Sequence, residues 1–283
     1  MSNPVPTVVV TGANSRTGRD LVPRLTGSGV RVVALVRTPE DLAADEVIAD
    51  WTRSPRAAEA LAEASAVVHL SGVFAAPDWD GYQAGNVATT RRVAEAIGPA
   101  ARLVYLSYVG ADPAADNWYL KSKGQAEDLL RSVRDSVIFR IHPIVRGGDA
   151  PSPFETMFRQ TGPDSPVRVI GAGTQRFRPV HATDVVTALV NAVRGVGEAG
   201  TYDLVGPSEF PVTDLIERIN GRTVPVERIP VEATAGLPWP PATVADLLAN
   251  PVSPSDPDSA GRIFALNLTR PEVTWPITGP SRS

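Results

Sequence analysis

The sequence predicts an α/β protein: a doubly wound parallel sheet with a small C-terminal lobe interleaved with its last pieces. Two observations carry this expectation. Short apolar runs punctuate the first half: "TVVV" (7–10), "RVVALV" (31–36), "AVVHL" (66–70), "RLVYLS" (102–107) and "VIFRI" (137–141). They are continuous rather than alternating, as strands covered on both faces are. Between them lie stretches of helical length at 16–26, about 54–64, about 84–98 and 119–133. Repeated β-α-β of this kind closes by right-handed crossovers into a parallel sheet.

The first strand stops at Thr11-Gly12 and opens the loop Ala13-Asn14-Ser15-Arg16-Thr17-Gly18 before a helix. Strand, glycine loop and helix gather backbone N–H groups and the positive end of a helix dipole at one point, where a pyrophosphate is well held. Gly12 supplies the tight turn and Gly18 lets the helix pack closely. Ser15 stands where the backbone usually comes nearest phosphate; its Cβ costs clearance, while its hydroxyl can donate to a phosphate oxygen. Gly18 is followed by Arg19-Asp20, which rules out a Walker A loop.

The second strand ends at Arg37 with no carboxylate at its tip. An acid there would bind the ribose hydroxyls of NAD, whereas arginine accommodates the 2′-phosphate of NADP. Arg16 and Arg37 converging on one phosphate favour NADP(H) over NAD(H); the alternative for Arg37 is a solvated strand end. Asp50, in "VIADW", falls where a third strand ends and can accept from an adenine amino group.

The stretch "RLVYLSYVGADPAADNWYLKSKGQAEDLL" (102–130) carries the chemistry. Ser107 closes a strand, and Tyr119 and Lys123 follow at a four-residue spacing that puts phenol and ammonium on one helix face. A cation beside a phenol eases loss of its proton, which suits a donor to a developing alkoxide. Ser107 can hydrogen-bond the substrate oxygen and place the carbonyl.

Beyond about residue 141 proline and glycine become dense, in "GGDAPSP" (147–153), "GLPWPPA" (236–242) and "NPVSPSDPDS" (250–259), which read as loops. A helix, "DVVTALVNAV" (184–193), and a strand, "GTYDLVG" (200–206), return to the sheet. The tail is expected to be ordered where Ile263-Phe264 and Trp275 find something to cover. The division expected is 1–141, with 176–206 returning, for the sheet domain, and 142–175 with 207–283 for the lobe.

Composition narrows the class. A net charge of −4 without a basic block suggests neither a nucleic-acid nor an anionic-membrane partner. With no cysteine there is no disulfide and no thiolate metal site, and His69, His142 and His181 lack metal-ligand spacing and read as structural. No apolar run approaches the roughly 20 residues needed to span a bilayer, and "MSNPVPT" does not resemble a signal peptide, so a cytoplasmic location is expected.

Over about residues 7–206 the chain resembles the short-chain dehydrogenase/reductase superfamily, in its extended or atypical branch of NAD(P)-dependent epimerase-like and NmrA-like proteins. The resemblance rests on "TGANSRTG", Arg37, Asp50, "AVVHLSG" (66–72), Asn86, Ser107, "YLKSK" (119–123), "FRIHPIVRGG" (139–148) and "RFRPVHATDVVTAL" (176–189). It implies a Rossmann domain binding NAD(P), a Ser107-Tyr119-Lys123 catalytic set and a variable substrate lobe. It further implies that Lys123 holds the nicotinamide ribose, that Pro143-Ile144 lies along the nicotinamide, and that Ser71-Gly72 passes close to the cofactor. Two departures stand out. Ser15 replaces the central glycine of the loop, and Tyr108-Val109-Gly110 follows Ser107 where nucleotide-sugar dehydratases place an acidic pair.

The function expected is NADPH-dependent reduction of a ketone, aldehyde or quinone-like carbonyl on a small flat substrate, with Tyr119 as proton donor. Phe74, Trp79, Tyr82, Trp118, Phe177 and Trp239 would line its pocket, with Met157 and Phe158 from the lobe; each serves equally as core. The alternatives are a sugar or nucleotide-sugar epimerase using Arg176 and Arg178 for a pyrophosphate, a non-catalytic NADP-sensing regulator, and a non-redox reaction on the same scaffold. The chain is expected to act as a monomer or a homodimer.

Overall fold

The computed structural model describes residues 5–236, 256 and 258–276. The parallel sheet uses β1 (Thr7–Thr11), β2 (Arg31–Leu35), β3 (Glu46–Ile48), β4 (Ala66–His69), β5 (Arg102–Tyr108) and β6 (Ser136–Ile141), joined at its edge by the strand Gly200–Leu204. Their order is β3-β2-β1-β4-β5-β6 followed by Gly200–Leu204, with Val9 opposite both Val33 and Val67, and Ile138 opposite Tyr105. Strand order reverses beside β1, the place where an open sheet of this kind offers a crevice at the carboxyl ends of its strands.

The continuous apolar runs are explained by what covers them. On one face, Leu21, Val22 and Leu25 of α1 (Arg16–Thr26) pack with a later helix, Ala182–Val193, against Val8, Val10 and Val104. On the other, α2 (Pro55–Glu63), α3 (Trp79–Tyr82), a π-helical stretch Gln83–Ala88, α4 (Thr89–Ala96) and α5 (Trp118–Leu130) run in succession, and Leu61, Val93, Ala126 and Leu130 cover Val9, Leu103 and Tyr105. Each fully buried valine or leucine contributes about 1.5–3 kcal/mol, so alternation would forfeit half of the sheet's stabilisation.

The lobe has its own core of Phe158, Val167, Val169, Phe177, Leu215, Ile216 and Trp275. It is built from the parallel pair Val167–Ile170 and Val226–Ile229, the antiparallel pair Arg176–Phe177 and Phe210–Pro211, and the helix Val212–Asn220. Glu155 ties it down: its carboxylate accepts from the backbone of Arg146, Gly147 and Ser152 and from Trp275 Nε1 at 2.8–2.9 Å.

Two stretches sit differently from the expected division. Arg176–Phe177 pairs within the lobe, so the chain rejoins the sheet domain only near Val180. Ala260 and Phe264, expected in the lobe, close the sheet core, with Phe264 4.6 Å from Phe139 and 5.0 Å from Tyr202 between ring centroids. The tail is anchored by Phe264 and Trp275, while Ile263 stays exposed. Among the described residues no helix is long and apolar enough to cross a membrane.

Candidate active site

Two cavities open at the carboxyl ends of the strands and share Ser15 in their walls. The first, about 520 Å³, lies between the glycine loop (Gly12, Asn14, Ser15), the end of β2 (Leu35, Val36, Arg37), Trp51-Thr52 and the segment 70–73. The second, about 550 Å³, lies between Ser15-Arg16-Thr17, Phe74, Tyr108, Tyr119, the segment 141–144, Arg146 and the lobe residues Phe154, Met157 and Phe177.

The loop is shaped for close approach. Gly12 has φ +62°, and a Cβ there would lie 2.8 Å from the backbone of Leu70 and Ser71, so only glycine lets the loops after β1 and β4 meet. Gly18 lines neither cavity; a Cβ on it would fall 2.4 Å from Ala13 O, which is the close packing expected of it. Ser15 is the N-cap of α1, at an ordinary φ of −66°, and its Oγ accepts from Gly18 N at 3.0 Å. The residue therefore carries no strain, and its hydroxyl hydrogen is not used by the cap. Glycine turn, touching loops and a helix N-terminus at the cavity wall fit a dinucleotide. Gly12, Asn14, Ser15, Arg37, Ser71 and Gly72 line the first cavity, and Arg16, Thr17, Pro143 and Ile144 the second.

Two expected cofactor contacts are corrected. Arg16 and Arg37 do not converge: Arg37 lines the first cavity, whereas Arg16 faces the second and donates from Nη1 to Pro151 O at 2.8 Å. Asp50 does not line the first cavity. It is exposed in a left-handed turn at φ +47°, with its carbonyl accepting from Arg53 and Ser54, and Trp51 and Thr52 form the wall instead.

A buried chain of hydrogen bonds frames the crevice. Thr11 Oγ1 accepts from the backbone N–H of Leu70 and Ser71 at 3.2 and 3.1 Å, so its own hydrogen goes to His69 Nδ1, 2.7 Å away. His69 Nε2 then donates to Thr90 Oγ1 at 2.9 Å, which donates to Asn86 O at 2.7 Å. Burial pushes the imidazole down to about 3, and it is neutral and structural. Asn86 Oδ1 accepts from Val73 N at 2.7 Å and its Nδ2 donates to Ser122 Oγ at 2.8 Å, linking the cavity segment 71–73 to α5.

α5 starts at an Asn117 cap, whose Oδ1 accepts from Leu120 N at 2.9 Å, and sets Tyr119 into the wall of the second cavity. The Tyr119 ring stands 5.0 Å from Phe74 and 5.4 Å from Tyr108, both edge-on. Lys123 is buried beside the end of β5. Its Nζ donates to Leu106 O at 2.7 Å and lies 4.3 Å from the Tyr105 ring centroid, and it lines neither cavity. Burial pulls its ammonium down to about 7, opposed by the nearby Glu127 carboxylate.

Ser107 is not where the sequence reading puts it. Its Oγ donates to Glu127 Oε1 at 2.5 Å, it is 2% exposed, and it lines neither cavity. Glu127 is held in turn by Arg140, whose Nη2 lies 2.6 Å from Oε2. The cause is strand periodicity: Leu103, Tyr105 and Ser107 face the helices α2, α4 and α5, so Leu106 and Tyr108 face the other way. Tyr108 takes the place in the cavity wall, a signal present in the alternation of "LVYLSY".

Of the expected substrate residues, Phe74 and Phe177 line the second cavity, as does Met157. Tyr82 is fully buried and donates to Phe74 O at 3.1 Å, Trp118 is exposed, Trp79 has the Lys121 ammonium 5.6 Å from its ring, and none of the three lines either cavity. Phe158 belongs to the lobe core, and Trp239 lies outside the described residues. Arg176 pairs with Glu209, and Arg178 donates to the carbonyls of Gly206 and Pro207 at 2.7 and 3.1 Å; neither lines the cavities.

Sequence reading missed Tyr108 and His142. His142 Nδ1 accepts from Arg178 N at 2.8 Å, which puts its hydrogen on Nε2, a buried atom with no hydrogen-bond partner among the described residues. Such a group costs about 1–3 kcal/mol until paired. Burial pushes the ring down to about 4, and it stacks 6.3 Å from Tyr108.

Residues 12–139 match the family model described as NAD(P)H-binding. No curated protein matches the sequence. Solved structures do. MoeE5 in complex with UDP-glucuronic acid and NAD is 27% identical, covering 79% of this chain and 85% of its own, with a TM-score of 0.64. The Bordetella bronchiseptica enzyme WbmH in complex with NAD+ is 19% identical over 96% of both chains, with a TM-score of 0.73. UDP-glucuronic acid 4-epimerase from Bacillus cereus in complex with NAD is 17% identical, covering 92% and 97%, with a TM-score of 0.65. The matched stretch is thus an NAD(P)H-binding domain, and the chain shares its fold with these solved structures.

Proposed function

We propose that this protein is an NADP(H)-dependent oxidoreductase acting on the carbonyl, or the corresponding alcohol, of a small flat apolar substrate. The observation that carries the reading is the setting of Tyr119, a phenol in the wall of an aromatic and aliphatic cavity that begins at the glycine loop. A bound nicotinamide supplies hydride chemistry at such a site. The chain does the rest. Tyr119 donates its phenolic proton to the substrate oxygen as charge develops there. Lys123, one turn along α5 from Tyr119, has its Nζ fixed by Leu106 O and stays out of the cavity. Phe74, Phe154 and Phe177 give the cavity aromatic walls suited to a flat substrate. For the cofactor, Arg37 alone supports NADP(H), because it stands at the end of β2 in the adenosine-side wall.

A second reading, a nucleotide-sugar epimerase, is favoured by the likeness to MoeE5, solved with UDP-glucuronic acid and NAD. It requires cationic groups for a second pyrophosphate. In the second cavity these are Arg16 and Arg146, and Arg146 is already paired with Asp20 at 2.5 Å. Purified protein assayed with NADPH and a panel of aromatic ketones and quinones separates the two. Net NADPH consumption that Tyr119→Phe abolishes supports the reductase. Interconversion of a UDP-sugar without net cofactor consumption supports the epimerase.

A further inference from the structure

We propose that Tyr108, not Ser107, is the second hydroxyl this cavity offers to the substrate oxygen; the inference rests on the carbonyl reading above. Three observations lead to it. The Ser107 hydroxyl is committed to Glu127 on the far face of the sheet, in a buried group completed by Arg140. The next residue points the other way, and Tyr108 lines the cavity with its ring 5.4 Å from that of Tyr119. Beside Tyr108, at 6.3 Å between centroids and nearly parallel at 19°, lies the buried His142 ring, pinned through Nδ1 by the backbone N–H of Arg178.

The substitution has a consequence for the substrate. A phenol reaches farther from the backbone than a serine hydroxyl does. An oxygen gripped between Tyr119 and Tyr108 therefore sits out among the aromatic walls, away from the strand tip. The substrate that brings its oxygen there is a compact ring carbonyl, an aryl ketone or quinone, entering edge-first between Phe74 and Phe177. Tyr119 transfers the proton to that oxygen. Tyr108 only donates a hydrogen bond to it, stabilising the charge that develops and fixing the carbonyl's direction.

The test uses prodan, a flat aryl ketone whose emission moves to the red when its carbonyl accepts hydrogen bonds. It is titrated into wild type, Tyr108→Phe, Ser107→Ala and Tyr119→Phe, each with NADP+ present. The expected result is a blue shift of the bound probe in Tyr108→Phe and in Tyr119→Phe, and none in Ser107→Ala. In turnover with an aryl ketone, Tyr108→Phe should lower kcat/KM about 100-fold, the usual effect of removing one such donor. A blue shift in Ser107→Ala with none in Tyr108→Phe overturns the proposal in favour of Ser107. A shift in Tyr119→Phe alone overturns it while leaving the carbonyl reading intact. If wild type does not bind the probe, or no variant shifts it, the carbonyl reading falls and the proposal falls with it.

Discussion

The two cavities that meet at Ser15 are of similar size and are built on different principles. The first cavity is made by backbone: a glycine at φ +62°, two loops in contact, the end of β2 and the start of α1, all within the first half of the chain. The other is made mostly by side chains from seven separate stretches, with Phe74, Tyr108, Tyr119, Ile144, Phe154 and Phe177 brought together by the sheet and the lobe. A cavity of the first kind constrains residue types at fixed spacing. A cavity of the second kind asks only that large apolar groups arrive at one place, and many sequences satisfy that.

The largest effect that would break this comparison is at Tyr119. Tyr119→Phe should lower kcat by about 10²–10⁴-fold, as loss of a proton donor does. NADPH affinity should stay close to wild type, since the phenol belongs to the side-chain cavity and not to the backbone one. An equal loss of cofactor binding would mean that the two cavities are not separable.

Next is Arg37. Arg37→Ser should weaken NADPH binding by about 10–100-fold, the worth of one or two charge-assisted hydrogen bonds, and leave NADH unchanged. Arg16→Ala should leave the ratio of the two affinities unchanged, because Arg16 is turned toward Pro151. Parallel titrations by nicotinamide fluorescence decide between them.

How far the site was legible follows from the same contrast. The turn at Gly12 and the close packing at Gly18 were readable because backbone geometry dictates them; Ser71-Gly72 came only from the family resemblance, and Tyr119-Lys123 from its four-residue spacing. Ser107 was misread because hydroxyl type was weighed and strand parity was not; its neighbour Tyr105 lies in the core on the helix side, which fixes Ser107 there and Tyr108 in the cavity. Asp50 failed for a subtler reason: its position is right, but a left-handed turn carries the side chain into solvent. In the lobe, the helix Val212–Asn220 was obscured by the prolines and glycines around it, although its buried Leu215, Ile216 and Ile219 have helical spacing. Nothing local announced that Phe264 would close the sheet core between Phe139 and Tyr202.

A smaller effect tests the support under β5. Glu127 is buried and holds both Ser107 and Arg140, whose side chain is about a third exposed. Glu127→Ala should destabilise by about 3 kcal/mol, the low end for breaking a buried pair, because the exposed part of Arg140 recovers some hydration. Urea unfolding reads this directly, and a loss well below 1 kcal/mol would show the group to be dispensable.

A further effect is spread over pH. His69 and His142 are held down to about 3 and about 4 by burial, from an ordinary 6.5. The unfolded chain therefore binds protons that the folded one refuses, and stability should fall as pH drops from about 6.5 toward 4. Lys123, pulled from 10.5 to about 7, acts in the same sense at higher pH: the unfolded chain holds its proton longer, so stability should rise from pH 7 toward 10.5. Chemical denaturation at stepped pH checks both windows.

The most direct test of the central claim is to mix the protein with NADPH and an aryl ketone in a single turnover and follow the nicotinamide absorbance. Oxidation of NADPH by wild type, lost in Tyr119→Phe with the cofactor still bound, is the result expected of a side-chain cavity that places a carbonyl beside a backbone-built dinucleotide site. Bound NADPH that stays reduced across the ketone and quinone panel, while a UDP-sugar is interconverted by the same preparation, would contradict it.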